Sequence, residues 1–384
     1  MTRTPLRPLA QLLVDAVSGA DRTQQPWDLD LPELRDVAVA SHMHRVTPAV
    51  ASVLAARPDA GRWAALQHVR HEQLMRHLRA REDLRTLGDA LTSAGIAWVA
   101  VKGPVLSDLV WPRPDMREYY DLDVVVDRTA FADAMKVLED VGCTLVDRNW
   151  PLMREAMRAE VAMRAPYGTA LDLHWDIAVP QQLRRDFRTD VAGLLRRSRV
   201  VEPVPGLAVP TLDATDTVLH LAFHAAHSGV SRLVWLADVR YAMDAAGFDA
   251  DALAARARDA HAELPVALVL RRTDEVLGLT VPFPAGLARA DRSAWARVAR
   301  SRDRRRPFPG LPGDDHLGGT LYGAARRGVV RSVTSAIASR RTLRAEEQAF
   351  DARDGRPSRP LQEDVPDTAA RAAYLRAVVD ATVV

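Results

Sequence analysis

The sequence predicts an α+β protein: a small mixed β-sheet with helices packed on one face, flanked by helical regions at both ends. Three observations carry this reading. Apolar residues recur three and four apart over the first ninety or so residues, the period of an amphipathic helix. Between Ile96 and about Ile177, short β-rich apolar runs replace that period. From about Thr211 the helical period returns. The chain therefore divides into an N-terminal helical region (1–95), an α/β core (96–200), a helical region forming the other wall of a cleft (201–300) and an Arg-rich helical extension with a tail (301–384).

The N-terminal "MTRTPLRPLAQLLVDAVSGADR" lacks an uninterrupted apolar core and reads as an amphipathic helix rather than a signal peptide. "QLMRHLRAREDLRTLGDALTSAG" keeps the helical period and stops at Gly95. "IAWVAV" is the first strand, ended by Gly103-Pro104, with a short helix expected over Val105–Val110. "YYDLDVVV" is the second strand. "RTAFADAMKVLEDVG" is a helix with Thr129 as candidate N-cap and Gly142 as its stop. "CTLVD" is a third strand, and "AEVAMRAP" and "TALDLHWDI" form a hairpin about Tyr167-Gly168. Downstream, "DATDTVLHLAFHAAHSG", "SRLVWLADVRYAMDAAG" and the stretch from Asp249 to Gly278 are helical. The segment after Asp351, "DARDGRPSRPLQEDVPD", reads as a loop or disordered, and a last helix over about Thr368–Val379 is expected to dock back.

Composition narrows the function classes. The lone cysteine, Cys143, makes no intrachain disulfide and no Cys-rich zinc pattern, which favours a reducing, cytoplasmic setting. No apolar run approaches the roughly 18–20 residues of a membrane span. The formal net charge of +2 does not announce a nucleic-acid binder, although Ser301–Pro307 and Arg326–Arg344 are Arg-dense. Lysine occurs only at positions 102 and 136, a coding bias that suggests a GC-rich bacterial genome.

The chemistry concentrates in "MREYYDLDVVVD". Strand side chains alternate, so Asp121 and Asp123 share one face while Leu122 turns to the core. Two carboxylates held so close repel, and a proton or a cation must relieve them. Asp172 is a third acid inside an apolar strand, "ALDLHWDI". A sheet that lays these strands side by side gathers three carboxylates, the donor set of a two-metal phosphoryl or nucleotidyl transfer site. A bland alternative leaves each Asp exposed at a strand end. Mg²⁺, a hard cation that keeps several waters, suits such a site. His220, His224 and His227 fall on one helical face, but one helix separates successive turns too widely for zinc, so His224 reads as a buried or substrate-facing polar residue.

"VAVKGPVLSDLVWPRPDMREYYDLDVVVD", followed by "ALDLHWDI", resembles the uncharacterised bacterial nucleotidyltransferases of the DNA polymerase β-like superfamily. The likeness rests on Lys102-Gly103, Arg117, Asp121-x-Asp123 and Leu173-His174-Trp175, and downstream on His224, Arg232, Leu233, Trp235 and Asp238. It implies a nucleotidyltransferase core in which Asp121, Asp123 and Asp172 hold two Mg²⁺ ions and carry catalysis, with an NTP as substrate. Lys102, Gly103 and Arg117 would bind the nucleotide. His174, Tyr119, His224 and Asp238 are candidate substrate contacts, with structural roles for each as the alternative. The superfamily's usual Gly-Ser turn is Gly103-Pro104 here, so the serine hydroxyl and one backbone N–H are missing from the phosphate site.

The expected activity is transfer of an NMP to a hydroxyl or similar acceptor on a small molecule, peptide or protein, with release of pyrophosphate. The alternatives are a toxin-like enzyme modifying RNA or a tRNA end, supported by the Arg-rich segments, and a non-catalytic nucleotide-binding or partner-binding module. No membrane partner is expected.

Overall fold

The computed structural model describes residues 6–18, 33–57, 59–305, 308–312, 318–351, 359–365 and 367–381. Its centre is a seven-stranded mixed sheet: β1 (Trp98–Ala100), β2 (Asp121–Val126), β3 (Thr144–Leu145), β4 (Glu160–Arg164), β5 (Ala170–His174), β6 (Arg199–Val201) and β7 (Val209–Thr211), in the order β3-β4-β5-β2-β1-β7-β6. The expected strands are all present, each shorter than its apolar run. Sequence reading missed β6 and β7, which extend the sheet beyond β1, and the helix Trp150–Ala156. All three are short, and β7 carries Pro210, which weakens the local signal.

Register decides what the sheet presents. β2 and β5 run parallel with Asp121 opposite Ala170, Asp123 opposite Asp172 and Val125 opposite His174. β4 runs antiparallel to β5 with Glu160 opposite His174. The period of two sends Leu122, Val124, Val126, Leu171 and Leu173 to the other face. There they pack under the helices Ala64–Ser93, Phe131–Asp140 and Trp150–Ala156. The last helix, Thr368–Asp380, docks on the same side through fully buried Tyr374 and Val378, as its pattern suggests. Tyr374 accepts from Trp175 Nε1 at 3.2 Å and donates to the Arg158 carbonyl.

Two local expectations change. The second strand starts at Asp121, not at Tyr119, so the alternation does not extend back to the tyrosine. Tyr119 is buried in the core beside Leu122, on the face away from Asp121. Thr129 does not cap its helix. Asp127 instead accepts from the Thr129 amide, and the helix begins at Phe131 without a side-chain cap. The proline-bearing segment after Asp351 lies partly outside the described residues. Its described part is anchored, with the Arg148 and Asn149 amides donating to the Leu361 carbonyl and Asn149 bridging Val365. The ends of the N-terminal segment and of the Ser301–Pro307 run also fall outside the described residues.

The helices after Ala214 share a second apolar cluster, and Ala214–His227 stands across from the carboxylate face of the sheet. A buried ion pair ties the two parts together. Arg117 meets Asp238 of the helix Leu233–Met243 through two bonds, Nε to Oδ1 at 2.8 Å and Nη2 to Oδ2 at 3.0 Å. Trp111 Nε1 donates to the same carboxylate at 2.7 Å. Arg117 Nη1 also reaches the Gly103 carbonyl at 3.3 Å. Asp238 thus pairs with Arg117. Planar, two-point pairing explains why arginine occupies this position.

Removing one member would strand the other in a dry interior. Asp238→Ala is expected to lower unfolding free energy by about 3–5 kcal/mol, while Arg117→Met/Asp238→Leu recovers much of it. Urea unfolding of the three proteins measures this. A single-variant loss below about 1 kcal/mol would contradict a buried clamp.

Candidate active site

The side chains of Lys102, Asp121, Asp123, Glu160, Asp172 and His174 open into one cavity of about 630 Å³. Strand pairing supplies most of them and a turn supplies the lysine. Gly103 follows Lys102 with φ of +59°, and a Cβ there would lie 3.0 Å from the Asp121 carbonyl. Only glycine accepts both the left-handed backbone and that approach. The turn lets Lys102 Nζ come to 3.0 Å from Asp123 Oδ1.

His174 Nε2 lies 3.3 Å from the same oxygen, and Nδ1 lies 3.6 Å from Glu160 Oε2. Neither ring nitrogen has a hydrogen-bond partner, nor does Asp123 Oδ2, although both residues are more than nine-tenths buried. Buried polar atoms are normally satisfied. Asp123, Asp172 and His174 offer ligand atoms within 4.8 Å of one another, the one such group among the described residues. Asp121 is beside this group rather than in it. The histidines of Ala214–His227 do not join it. The donor set of two carboxylates and an imidazole fits a divalent cation.

The field in the cavity separates the acids. Burial opposes ionisation of Asp123, but Lys102 and His174 outweigh it and hold its carboxyl well below the usual range. Burial and then the Asp123 charge raise Asp121. Burial, Asp123 and Glu160 push Asp172 up to about 7. Burial also works against a charged His174, but Asp123 and Glu160 prevail and raise it. Lys102 is raised in the same way, with burial outweighed by Asp123 and Asp121. One carboxylate is therefore firmly ionised, and its register partner sits near neutrality, where proton exchange is easiest.

The opposite wall is uncharged. His220, His224, His227 and Phe223 line it from Ala214–His227. Burial, followed by the Lys102 charge, lowers His220 to about 3, and burial lowers His227 as far. His224 is held well below its usual value for the same first cause and packs edge-on to Trp235. His224 faces the cavity. Arg326 closes the far side, its guanidinium held by Asp186 at 2.7 Å.

Other candidates lie elsewhere. Arg117 does not line the cavity, because Asp238 and the Gly103 carbonyl occupy its donors. Asp238 is 1% exposed and has no path to substrate. The Tyr119 hydroxyl bonds His77 Nδ1 at 2.8 Å behind the sheet. Asp176, past the end of β5, bonds Thr189 and the Ala178 amide. Glu160 and Arg158 were not singled out from the sequence. Glu160 was legible as the polar position of an alternating strand, "EVAMR", whose partner is His174.

The neutral wall makes a pH prediction. Unfolded His220 takes a proton as pH falls through about 6.5, whereas the folded site refuses one until about pH 3, so its contribution is full above the first value and is lost progressively down to the second. Between about pH 7.5 and 5.5 the wild type should lose about 1 kcal/mol more stability than His220→Gln. Urea titrations at both pH values measure the difference, and identical pH slopes would contradict a neutral, buried imidazole.

Among the described residues no helix is long and apolar enough to cross a membrane. No curated protein matches the chain. A family described as uncharacterised nucleotidyltransferase matches residues 32–278, from the second helix through the carboxylate face to the end of the helix Glu263–Leu277. The chain belongs to that nucleotidyltransferase family and is a transferase of this type.

Proposed function

We propose that the protein moves an NMP from an NTP to a hydroxyl acceptor, in a Mg²⁺-dependent reaction that releases pyrophosphate. The observation that carries this reading is the in-register pair of Asp123 and Asp172, with His174 beside them, at the floor of a cavity whose opposite helix, Ala214–His227, presents neutral groups. The cavity volume suits a small substrate. We read the core as a member of the DNA polymerase β-like superfamily, residues 201–300 as the second wall, and the host as a bacterium with the protein in its cytoplasm. The buried thiol of Cys143 suits that setting.

Asp123 and Asp172 would hold the cation, with His174 and Asp121 completing the set for two ions. The orphaned Asp123 Oδ2 and His174 nitrogens are the atoms such ligation would satisfy. Bound Mg²⁺ supplies neutralisation of the triphosphate and a lowered acceptor pKa. Asp172 is positioned to take the acceptor proton. The acceptor oxygen then bonds the α-phosphorus, the bond to the bridging oxygen breaks, and pyrophosphate leaves. Lys102 faces the phosphates and balances Asp123 until they arrive. His220 and His224, being neutral, offer hydrogen bonds to the acceptor or base without competing for phosphate.

A small molecule, peptide or protein acceptor fits the enclosed wall. A nucleic-acid acceptor is the second reading. It is favoured by exposed Arg331, Arg340 and Arg341 on the helix Val329–Asp351, which reaches the cavity at Ser339.

Incubation with Mg²⁺, each α-labelled NTP and fractionated extract should label an acceptor and release pyrophosphate. Asp172→Asn is expected to slow this by about 10²–10⁴-fold, and Asp123→Asn at least as much. Transfer by both variants at the wild-type rate would overturn the site assignment. Labelling of RNA that weakens steeply with salt would select the second acceptor class.

A further inference from the structure

The proposed triphosphate needs a cationic seat, and the cations of the carboxylate cavity are already engaged, Lys102 by Asp123, Arg158 by Glu160 and Arg326 by Asp186. Pro104 has no N–H, the helix Pro104–Leu109 is short, and Arg117 is engaged by Asp238. A second cavity, of about 520 Å³, includes Tyr120, the residue before β2, in its lining. It is lined by His42, Met43, Arg45, Tyr120, Ser231 and Arg232. Tyr120 directly precedes Asp121, and the charge of Arg45 reaches the Asp121 carboxyl.

Among the described residues, neither Arg45 nor Arg232 has a carboxylate within 4.0 Å. Both guanidiniums are held instead by aromatic faces, Arg45 over Tyr120 at 5.0 Å and Arg232 over Trp235 at 5.2 Å. Such stacking orients the fork and leaves its edge donors free for an anion. Glu118 is the nearby acid, but it is buried and takes the Tyr120 hydroxyl, and His42 Nδ1 stands 3.8 Å from it. Two like charges facing one cavity repel unless a counterion joins them. Burial, and after it the Arg45 charge, lower Arg232, with Tyr120 and Glu118 acting the other way.

The backbone adds an independent mark. Arg45 has φ of +53°. It stands just past the helix Leu34–Met43, where the Val46 amide returns to the Ser41 carbonyl at 2.9 Å. Glycine is the default residue in such a helix-ending turn. An arginine kept there, with its side chain in a cationic cavity, points to a role for that side chain. The field of Arg45 reaches the Asp121 carboxyl as well.

We propose that Arg45 and Arg232, with Ser231 and His42, form an anion site that holds the terminal phosphates of the NTP and, after transfer, the pyrophosphate. The proposal rests on the nucleotidyltransferase reading for its ligand, but the anion site is testable without it. Arg45 comes from the N-terminal helices and Arg232 from the turn before Leu233–Met243, so the bound polyphosphate would bridge two parts of the chain far apart in sequence. The α-phosphorus would then lie toward Asp121 and Asp123.

Calorimetric titration of the full chain with inorganic tripolyphosphate tests this directly. Arg45→Gly is the informative variant, because glycine suits the positive φ and the fold is not put at risk. Arg232→Met removes the second charge, and Arg154→Gln, exposed on the helix Trp150–Ala156, is the control. Each of the first two variants should weaken tripolyphosphate binding at least tenfold, the pair by more than a hundredfold, and the control not at all. The same pair should raise the KM for NTP far more than it lowers kcat. Unchanged tripolyphosphate affinity in the double variant, in a protein that still transfers NMP, would overturn the anion site and leave the transferase reading standing. Absence of any NMP transfer, with tripolyphosphate binding still dependent on both arginines, would sink the transferase reading and leave the anion site standing.

Discussion

The parallel register of β2 and β5 is the constraint on which the rest depends. It sets Asp123 directly opposite Asp172 on one sheet face, with Asp121 and His174 a step away along each strand. Placing acids so close in a partly buried cavity is unfavourable by itself. Lys102 and His174 relieve the repulsion at Asp123, and Asp172 relieves it by shifting toward its neutral form. A one-residue slip would point every acid into the apolar core and every leucine into the cavity. The hydrophobic face, with Leu122, Val124, Leu171 and Leu173 buried under helices, therefore fixes the chemistry of the polar face.

Two further features keep that face usable. Gly103 lets the chain turn tightly enough over Asp121 for Lys102 to reach Asp123. The Arg117–Asp238 pair then holds this turn against the downstream helices, through the Gly103 carbonyl on one side and Leu233–Met243 on the other. A residue that sequence suggests for nucleotide binding thus acts one layer back, fixing how the walls of the cavity meet. Across the gap, three imidazoles are kept neutral by burial, and the cations that line the cavity, Lys102, Arg158 and Arg326, each face a carboxylate.

The fold class and the acidic core of the site were legible because they rest on short-range rules. Alternation predicted the shared face of Asp121 and Asp123, and the apolar run around Asp172 marked a strand with a misplaced acid. That β5 would lie beside β2 was a guess at topology which pairing bears out. What escaped reading depends on long-range partners. Arg117 and Asp238 are 121 residues apart, and nothing local to either distinguishes a clamp from a ligand. Tyr119 precedes the strand start, where the alternation of β2 no longer decides which way a side chain points. Arg45 lies in a helix-ending turn whose sequence, "SHMHRVTP", gives no sign that it faces Arg232.

The central claim is that Asp123, Asp172 and His174 form a cation site. Mn²⁺, which shares ligands with Mg²⁺ and is paramagnetic, reports on it directly. Titration followed by electron paramagnetic resonance, with pulsed detection of nitrogen coupling, should show Mn²⁺ bound to the wild type with an imidazole in its coordination shell. Asp123→Asn should weaken binding at least tenfold, and His174→Asn should abolish the nitrogen signal. Wild-type protein that fails to bind Mn²⁺, with or without NTP, or that binds it equally well after Asp123→Asn, would contradict the account.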